Sequence, residues 1–200
     1  VKTGRARVEL KICERRDCSR EGTQLLVLAV ALPKGDRQRW LVEKAVELGV
    51  SKLIPLKAER GVSQPAENVL ARLRRHVVEA SKQCGRNRLM EIAAPGTLAD
   101  LERAGHASGV LLLADPHGPS IPLRQIRRPP ADVPVCAAIG PEGGFSQREL
   151  QSAGSWQRIR LGPRILRVET AAIAIAAWFS LLEDDAGDQS TNAWEIDAEA

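Results

Sequence analysis

Val133-Pro134-Val135-Cys136-Ala137-Ala138-Ile139-Gly140-Pro141-Glu142-Gly143-Gly144-Phe145 runs from an unbroken apolar segment straight into a glycine-rich turn. An apolar run without polar alternation marks a strand buried on both faces, as in a parallel sheet. The next residues, Ser146-Gln147-Arg148-Glu149, have the form of a capping box that opens a helix. The turn therefore lies at the carboxyl end of a strand, where open α/β sheets bind ligands. A second such turn, Leu161-Gly162-Pro163-Arg164-Ile165-Leu166-Arg167-Val168-Glu169-Thr170, follows a short strand at 159–161. It leads into a strongly apolar helix over 169–182, of the kind buried in a core or a subunit interface.

The same grammar extends upstream. Residues 24–32 form an apolar strand, and Pro33-Lys34-Gly35-Asp36 breaks it. Asp36 is the expected cap of a helix over 37–48, which Gly49 ends. A second strand covers 51–56. A longer helix covers 65–85, with Leu70, Leu73, Val77, Ser81 and Cys84 as its apolar stripe and Gly85 as its stop. Residues 109–114 are another buried strand, and 115–132 read as a proline- and arginine-rich loop. This alternation predicts a mostly parallel α/β sheet with helices on both faces. At the N-terminus, Val8, Leu10 and Ile12 share one face of an alternating strand over 6–12, expected to be the end of an upstream β-domain.

Composition narrows the function. Aromatics make up 3% of the 200 residues and tyrosine is absent, which argues against a base-stacking RNA platform. No apolar run is long enough to cross a membrane. Cys13, Cys18, Cys84 and Cys136 fit no zinc spacing and the histidines are His76, His106 and His117, so the expectation is a reduced, cytoplasmic protein without a metal. Charge is segregated. Residues 183–200 hold seven acidic and no basic side chains and read as a disordered tail, leaving 29 basic against 18 acidic residues before it, a net of +11. Such a surface either attracts a polyanion, of which nucleic acid is the commonest, or serves solubility alone.

Each motif has a plain reading beside a functional one. Gly140-Pro141-Glu142-Gly143-Gly144 is neither a Walker loop nor a dinucleotide fingerprint. It is a tight strand-to-helix turn or an anion-binding nest, with Glu142 available to a ligand. Leu161, Ile165 and Leu166 offer an apolar, backbone-rich cleft to a flat heterocycle, while Glu169 also suits a helix N-terminus electrostatically. Gln83-Cys84-Gly85-Arg86-Asn87-Arg88, with Glu59-Arg60 upstream, is a solvated helix end or a phosphate-gripping face, where Arg86 and Arg88 would reach outward.

Taken together, these segments resemble the bacterial 16S ribosomal RNA uridine-N3 methyltransferase family of the SPOUT superfamily. The resemblance runs from about Leu28 to Trp178. It rests on Leu32-Pro33-Lys34-Gly35-Asp36, Glu47-Leu48-Gly49-Val50, Glu59-Arg60, the Gln83 to Arg88 run, Gly140 to Phe145 and Leu161 to Ala171, in that order. Val168 stands where the family usually has threonine. The resemblance implies a SPOUT domain over 23–182 with a C-terminal trefoil knot, preceded in 1–22 by a remnant of a PUA-like β-barrel. It implies S-adenosylmethionine as cofactor, a homodimer that completes the site, and 16S ribosomal RNA of the small subunit as partner.

By the same resemblance Leu113, Ala114, Gly140, Pro141, Glu142, Gly143, Leu161, Gly162, Ile165 and Leu166 line the cofactor pocket. Arg60, Arg86, Arg88 and Arg167 are then candidates for RNA contact. For the chemistry, Arg167 is the expected electrostatic stabiliser of a uridine anion. Glu142 and Glu169 are the candidates to accept the N3 proton or to orient Arg167. Two other readings stay open at this point: a SPOUT enzyme acting on another RNA atom, such as a ribose 2′-hydroxyl, and a non-catalytic RNA-binding assembly factor.

Overall fold

The structure, a computed structural model, describes residues 2–3, 8–9, 11–14, 20–61, 65–103 and 109–181. Of the strand expected over 6–12, only residues 8–9, 11 and 12 are described, and the acidic tail from Glu183 lies outside the described residues. The chain begins with an antiparallel pair, β1 (Lys2–Thr3) and β2 (Val8–Glu9). There follow β3 (Leu26–Val30), α1 (Asp36–Glu47), β4 (Lys52–Pro55), α2 (Glu67–Cys84), β5 (Glu91–Ile92) and α3 (Leu98–Arg103). The second half holds β6 (Val110–Ala114), β7 (Ile121–Pro122), β8 (Val135–Ile139), α4 (Gln147–Ser152), β9 (Gln157–Arg160) and α5 (Val168–Ser180).

Strands β3 to β9 form one sheet of seven, in the order β5-β4-β3-β8-β6-β9-β7, and every pairing in it is parallel. The apolar runs are explained by two cores. Leu26, Leu28 and Val30 point to one face, under α1, α2 and α5, with Leu41, Leu73 and Ile175. Val27 and Ala29 point to the other, where α3 brings Leu98 and Leu101 and the segments flanking α4 bring Phe145 and Trp156. A strand with both faces covered can afford no polar alternation. Cys136 belongs to the second core, where burial pushes its thiol up to about 12.

Local signals set the boundaries. Gly49 takes φ +74, donates to the Val46 carbonyl at 3.0 Å, and lets Val50 donate to Ala45 at 3.0 Å, a Schellman stop. Gly85 closes α2 in the same left-handed region. The start of α1 differs from the sequence expectation. Asp36 is the first helical residue and not the cap. The cap position is Gly35, at φ +65, with no side chain bonded to the helix end. The short strand β7 lies within the 115–132 segment that reads as a loop, and β5 and α3 lie between Gly85 and Gly109, where the sequence pattern assigns no element.

Candidate functional site

The carboxyl ends of β6, β8 and β9 meet around a cleft of about 190 Å³. Ala114, Ile139, Leu161, Leu166 and Ala171 give it apolar walls, while Gly140, Pro141, Gly144 and Gly162 bring backbone to its surface. Gly140 is required by packing: a Cβ there would stand 2.9 Å from the ring of Phe145, which folds beneath the turn into the second core. The turn closes through Gly144 N–H donating to Pro141 O at 2.8 Å, with Gly144 at φ +67. Ser146 and Glu149 then make the expected capping box: Glu149 N–H donates to Ser146 Oγ at 3.1 Å and Ser146 N–H to Glu149 Oε2 at 2.8 Å.

Glu149 has a second task that the sequence did not disclose. Its Oε1 accepts from the backbone N–H of Glu59 at 3.0 Å, while Arg60 Nη1 donates to Gly143 O at 3.0 Å. The loop after β4 is thereby fastened against the turn after β8. On the cleft wall, the buried Asp115 carboxylate accepts from His117 N–H at 3.0 Å and lies 3.7 Å from Arg158 Nη1, which shapes the turn after β6.

Eight of the ten residues expected around a cofactor line this cleft: Ala114, Gly140, Pro141, Glu142, Leu161, Gly162, Ile165 and Leu166. Leu113 and Gly143 are not on its surface. Leu113 faces the other side of the sheet and packs in the second core, because alternate residues of a strand point to opposite faces. Gly143 lies against the Arg60 side chain.

The three expected catalytic residues are only partly gathered. Arg167 lines the cleft rim, exposed, and makes no ion pair among the described residues. Glu142 also lines the cleft. Glu169 is buried, its side chain 8% exposed, and its Oε2 has no hydrogen-bond partner among the described residues. The arginine beside both carboxylates is not Arg167 but Arg37, from the first turn of α1. Its Nη1 lies 3.5 Å from Glu169 Oε1 and 3.8 Å from Glu142 Oε1. The available signal was the Pro33-Lys34-Gly35-Asp36 break after β3, since β3 and β8 are adjacent in the sheet and so end side by side.

Residues 20–180 match the RNA methyltransferase domain family. This chain belongs to that family. The RNA methyltransferase domain is 34% identical over 163 residues to ribosomal RNA small subunit methyltransferase E of Synechocystis, covering 79% of this chain and 54% of that protein. It is 32% identical to the protein of the same name from Mesomycoplasma hyopneumoniae, over 82% of this chain and 72% of that one. The chain thus spans about half the length of the Synechocystis relative. Among solved structures, it superposes on ribosomal RNA small subunit methyltransferase E of Neisseria gonorrhoeae, bound to S-adenosylmethionine. The TM-score is 0.74 at 30% identity, over 81% of this chain and 68% of that one.

The four arginines expected to contact RNA differ in their surroundings. Arg60 and Arg88 are exposed. Arg86 corrects the sequence expectation: it does not reach outward. Its side chain is 6% exposed. Nε and Nη2 donate to Glu21 Oε2 at 3.0 and 2.7 Å, and Nη1 donates to the carbonyls of Val46 and Val50 at 3.1 and 2.9 Å. The guanidinium caps the carboxyl end of α1 and ties the segment before β3 to it. Glu21 Oε1 accepts from the N–H groups of Asn87 and Arg88. Burial pushes the Glu21 carboxyl up, but the Arg86 hydrogen bonds, the two backbone donors and the Arg86 charge outweigh it and hold the pKa below the ordinary value. Among the described residues no helix is long and apolar enough to cross a membrane, and no cluster of side chains could hold a metal.

Proposed function

We propose that this protein is an S-adenosylmethionine-dependent methyltransferase that modifies N3 of a uridine in 16S ribosomal RNA of the small subunit, in the cytoplasm. The observation that carries the reading is the three-loop cleft at the ends of β6, β8 and β9, with a carboxylate and an arginine on its rim. The cleft suits the cofactor by the chemistry of its walls: apolar side chains flank a flat heterocycle, and exposed backbone supplies hydrogen bonds without a fixed charge. Ala114, Gly140, Pro141, Leu161, Gly162, Ile165 and Leu166 would hold it. S-adenosylmethionine supplies an electrophilic methyl carbon on a sulfonium that departs with its electron pair.

This chain's residues then have two tasks. The first is placement, which brings the acceptor nitrogen into line and excludes water. The second is the proton. N3–H is a weak acid, and Glu142, on the cleft wall, is assigned to accept its proton while the N3 lone pair forms the new bond. Arg167 is assigned to stabilise the negative charge and to meet RNA phosphate. Glu169 is buried against Arg37 and so serves to orient that arginine. Because N3 lies on the Watson–Crick edge, the base must be unpaired or turned out of its helix.

The family's knot and dimer complete the proposal. β9 is inserted between β6 and β7, both laid down earlier in the chain, after which α5 returns to pack on β3 and α1. That path supports a trefoil threading of the segment between β9 and α5. The outer side of α5 leaves Ile173, Ala174, Ala177 and Trp178 half-buried, an apolar face that suits a second copy. The β1–β2 pair fits the end of a PUA-like barrel in 1–22. The deciding experiment is methyl transfer to unmethylated small ribosomal subunits, with the RNA digested and read by nucleoside mass spectrometry. The expected product is 3-methyluridine. A different methylated nucleoside, with cofactor bound, would refute the assignment.

A further inference from the structure

A second cleft, of about 480 Å³, opens at the carboxyl ends of β3 and β4 and shares the Pro141–Glu142 wall with the first. Its base is apolar, formed by Leu32, Leu56 and Val69. Its rim is cationic and amide-bearing: Lys34, Arg37 and Gln38 line it. The cleft is therefore built like a nucleotide site, with apolar surface for a base, a cation for phosphate and a directed fork for the base edge.

Resting on the proposed methyltransferase reading, we propose that this second cleft receives the acceptor uridine, with Arg37 reading the uracil edge across the Glu142 wall. Three observations converge on this. The two clefts meet at Glu142, so a base in one presents its edge to whatever the other holds. Glu142 and Glu169 both approach the same nitrogen of Arg37, Nη1, within 4 Å. A guanidinium has five N–H donors, so the rest of the fork serves the cleft that Arg37 lines. Finally, Glu169 is buried, which fixes the Arg37 orientation from below.

The chemistry selects uracil. When N3–H gives its proton to Glu142, the negative charge spreads onto O2 and O4, and Arg37 donates an N–H to the carbonyl oxygen on its side, sharing with Arg167 the stabilisation of that charge. Cytosine has an amino group at position 4 and no N3 proton. It would set donor against donor and offer Glu142 nothing to accept. Lys34, exposed at the mouth, is placed for the nucleotide's phosphate. The exposed Asp36 nearby is the opposing charge in that turn. Arg37 touches the base in this account and sets its selectivity, whereas Arg167 lines the cofactor cleft.

The test uses the full chain, isotope-labelled and saturated with S-adenosylhomocysteine, titrated with uridine or cytidine 5′-monophosphate and followed by amide NMR. Uridine monophosphate is expected to move the amides of residues 34–38 and 69, and cytidine monophosphate to bind at least about tenfold more weakly. Arg37→Lys should keep the melting temperature and the S-adenosylhomocysteine affinity while lowering turnover about 100-fold and erasing the uridine preference. Ala66→Trp, at a position that lines this cleft and not the cofactor cleft, should abolish the uridine monophosphate shifts and leave cofactor affinity intact. Cofactor binding with no shift in this cleft, or an unimpaired Ala66→Trp enzyme, overturns the inference and leaves the methyltransferase reading standing. Failure of the wild-type chain to bind S-adenosylhomocysteine overturns that reading and the inference together.

Discussion

Replacing Arg86 by alanine should destabilise this protein and not act first through a lost contact with RNA. The side chain is 6% exposed and makes four hydrogen bonds, two to Glu21, one to the Val46 carbonyl in the last turn of α1 and one to the Val50 carbonyl just beyond it. Truncation takes the Arg86 guanidinium away from the Glu21 carboxylate, which is 12% exposed. Breaking a buried ion pair from one side costs about 3–5 kcal/mol. The N–H groups of Asn87 and Arg88 still hold Glu21, and water can reach a helix end, so the lower value, about 3 kcal/mol, is the expectation. That is a large part of a domain stability of about 5–15 kcal/mol. For a domain of this size it lowers the melting temperature by about 6–12 °C.

The pH dependence gives an internal control. The folded-state pKa of Glu21 is depressed below its ordinary 4.5, so its stabilisation is complete above that value and is lost as pH falls through the folded pKa. The stability difference between wild type and Arg86→Ala should therefore shrink below about pH 4.5. Denaturant melts at neutral and acid pH, with Glu21→Gln and the double variant, measure all of this. An Arg86→Ala chain within about 2 °C of wild type that has lost RNA affinity would refute the reasoning and restore a phosphate-gripping role.

Three further outcomes are expected. Gly140→Ala drives a methyl group into the Phe145 ring, so it should cost about 1–3 kcal/mol and weaken cofactor binding, as calorimetry would show. Glu149→Ala removes both the capping box and the acceptor for Glu59 N–H, which should lower stability by about 1–2 kcal/mol in denaturant melts. The Cys136 thiol, buried and raised to about 12, should resist a thiol-specific reagent at neutral pH until the protein is denatured, while the exposed Cys13 reacts at once.

The parallel sheet was legible because its signals are local. The Leu26–Val30 and Val135–Ile139 runs, the glycine stops at Gly49 and Gly85 and the capping box at Ser146 each specify their element within a few residues. The two-residue strands β5 and β7 and the six-residue helix α3 are too short to carry a period, so the sequence pattern does not reveal them. Two of the loops around the first cleft, after β8 and β9, could be chosen from sequence because each is a glycine-bearing turn that follows a strand. The direction of a long side chain could not. Arg86 turns inward toward Glu21, 65 residues away, and Arg37 meets Glu169 across 132 residues. Neither partner is visible to a window of sequence, and an arginine after a helix-ending glycine has no local reason to prefer the core to solvent.

The central place of β8 in the sheet bears on how the protein survives its own synthesis. β3 is made early, yet the neighbour that covers one of its edges, Val135–Ile139, is translated 109 residues later. Until then the nascent chain shows a ribbon of unpaired hydrogen-bonding groups with apolar side chains on both faces. Bare edges of that kind recruit other chains, and pairings so distant in sequence form slowly. The hazardous interval for this protein closes only when β8 emerges and slots between strands already made, which makes chaperone demand a property of its strand order.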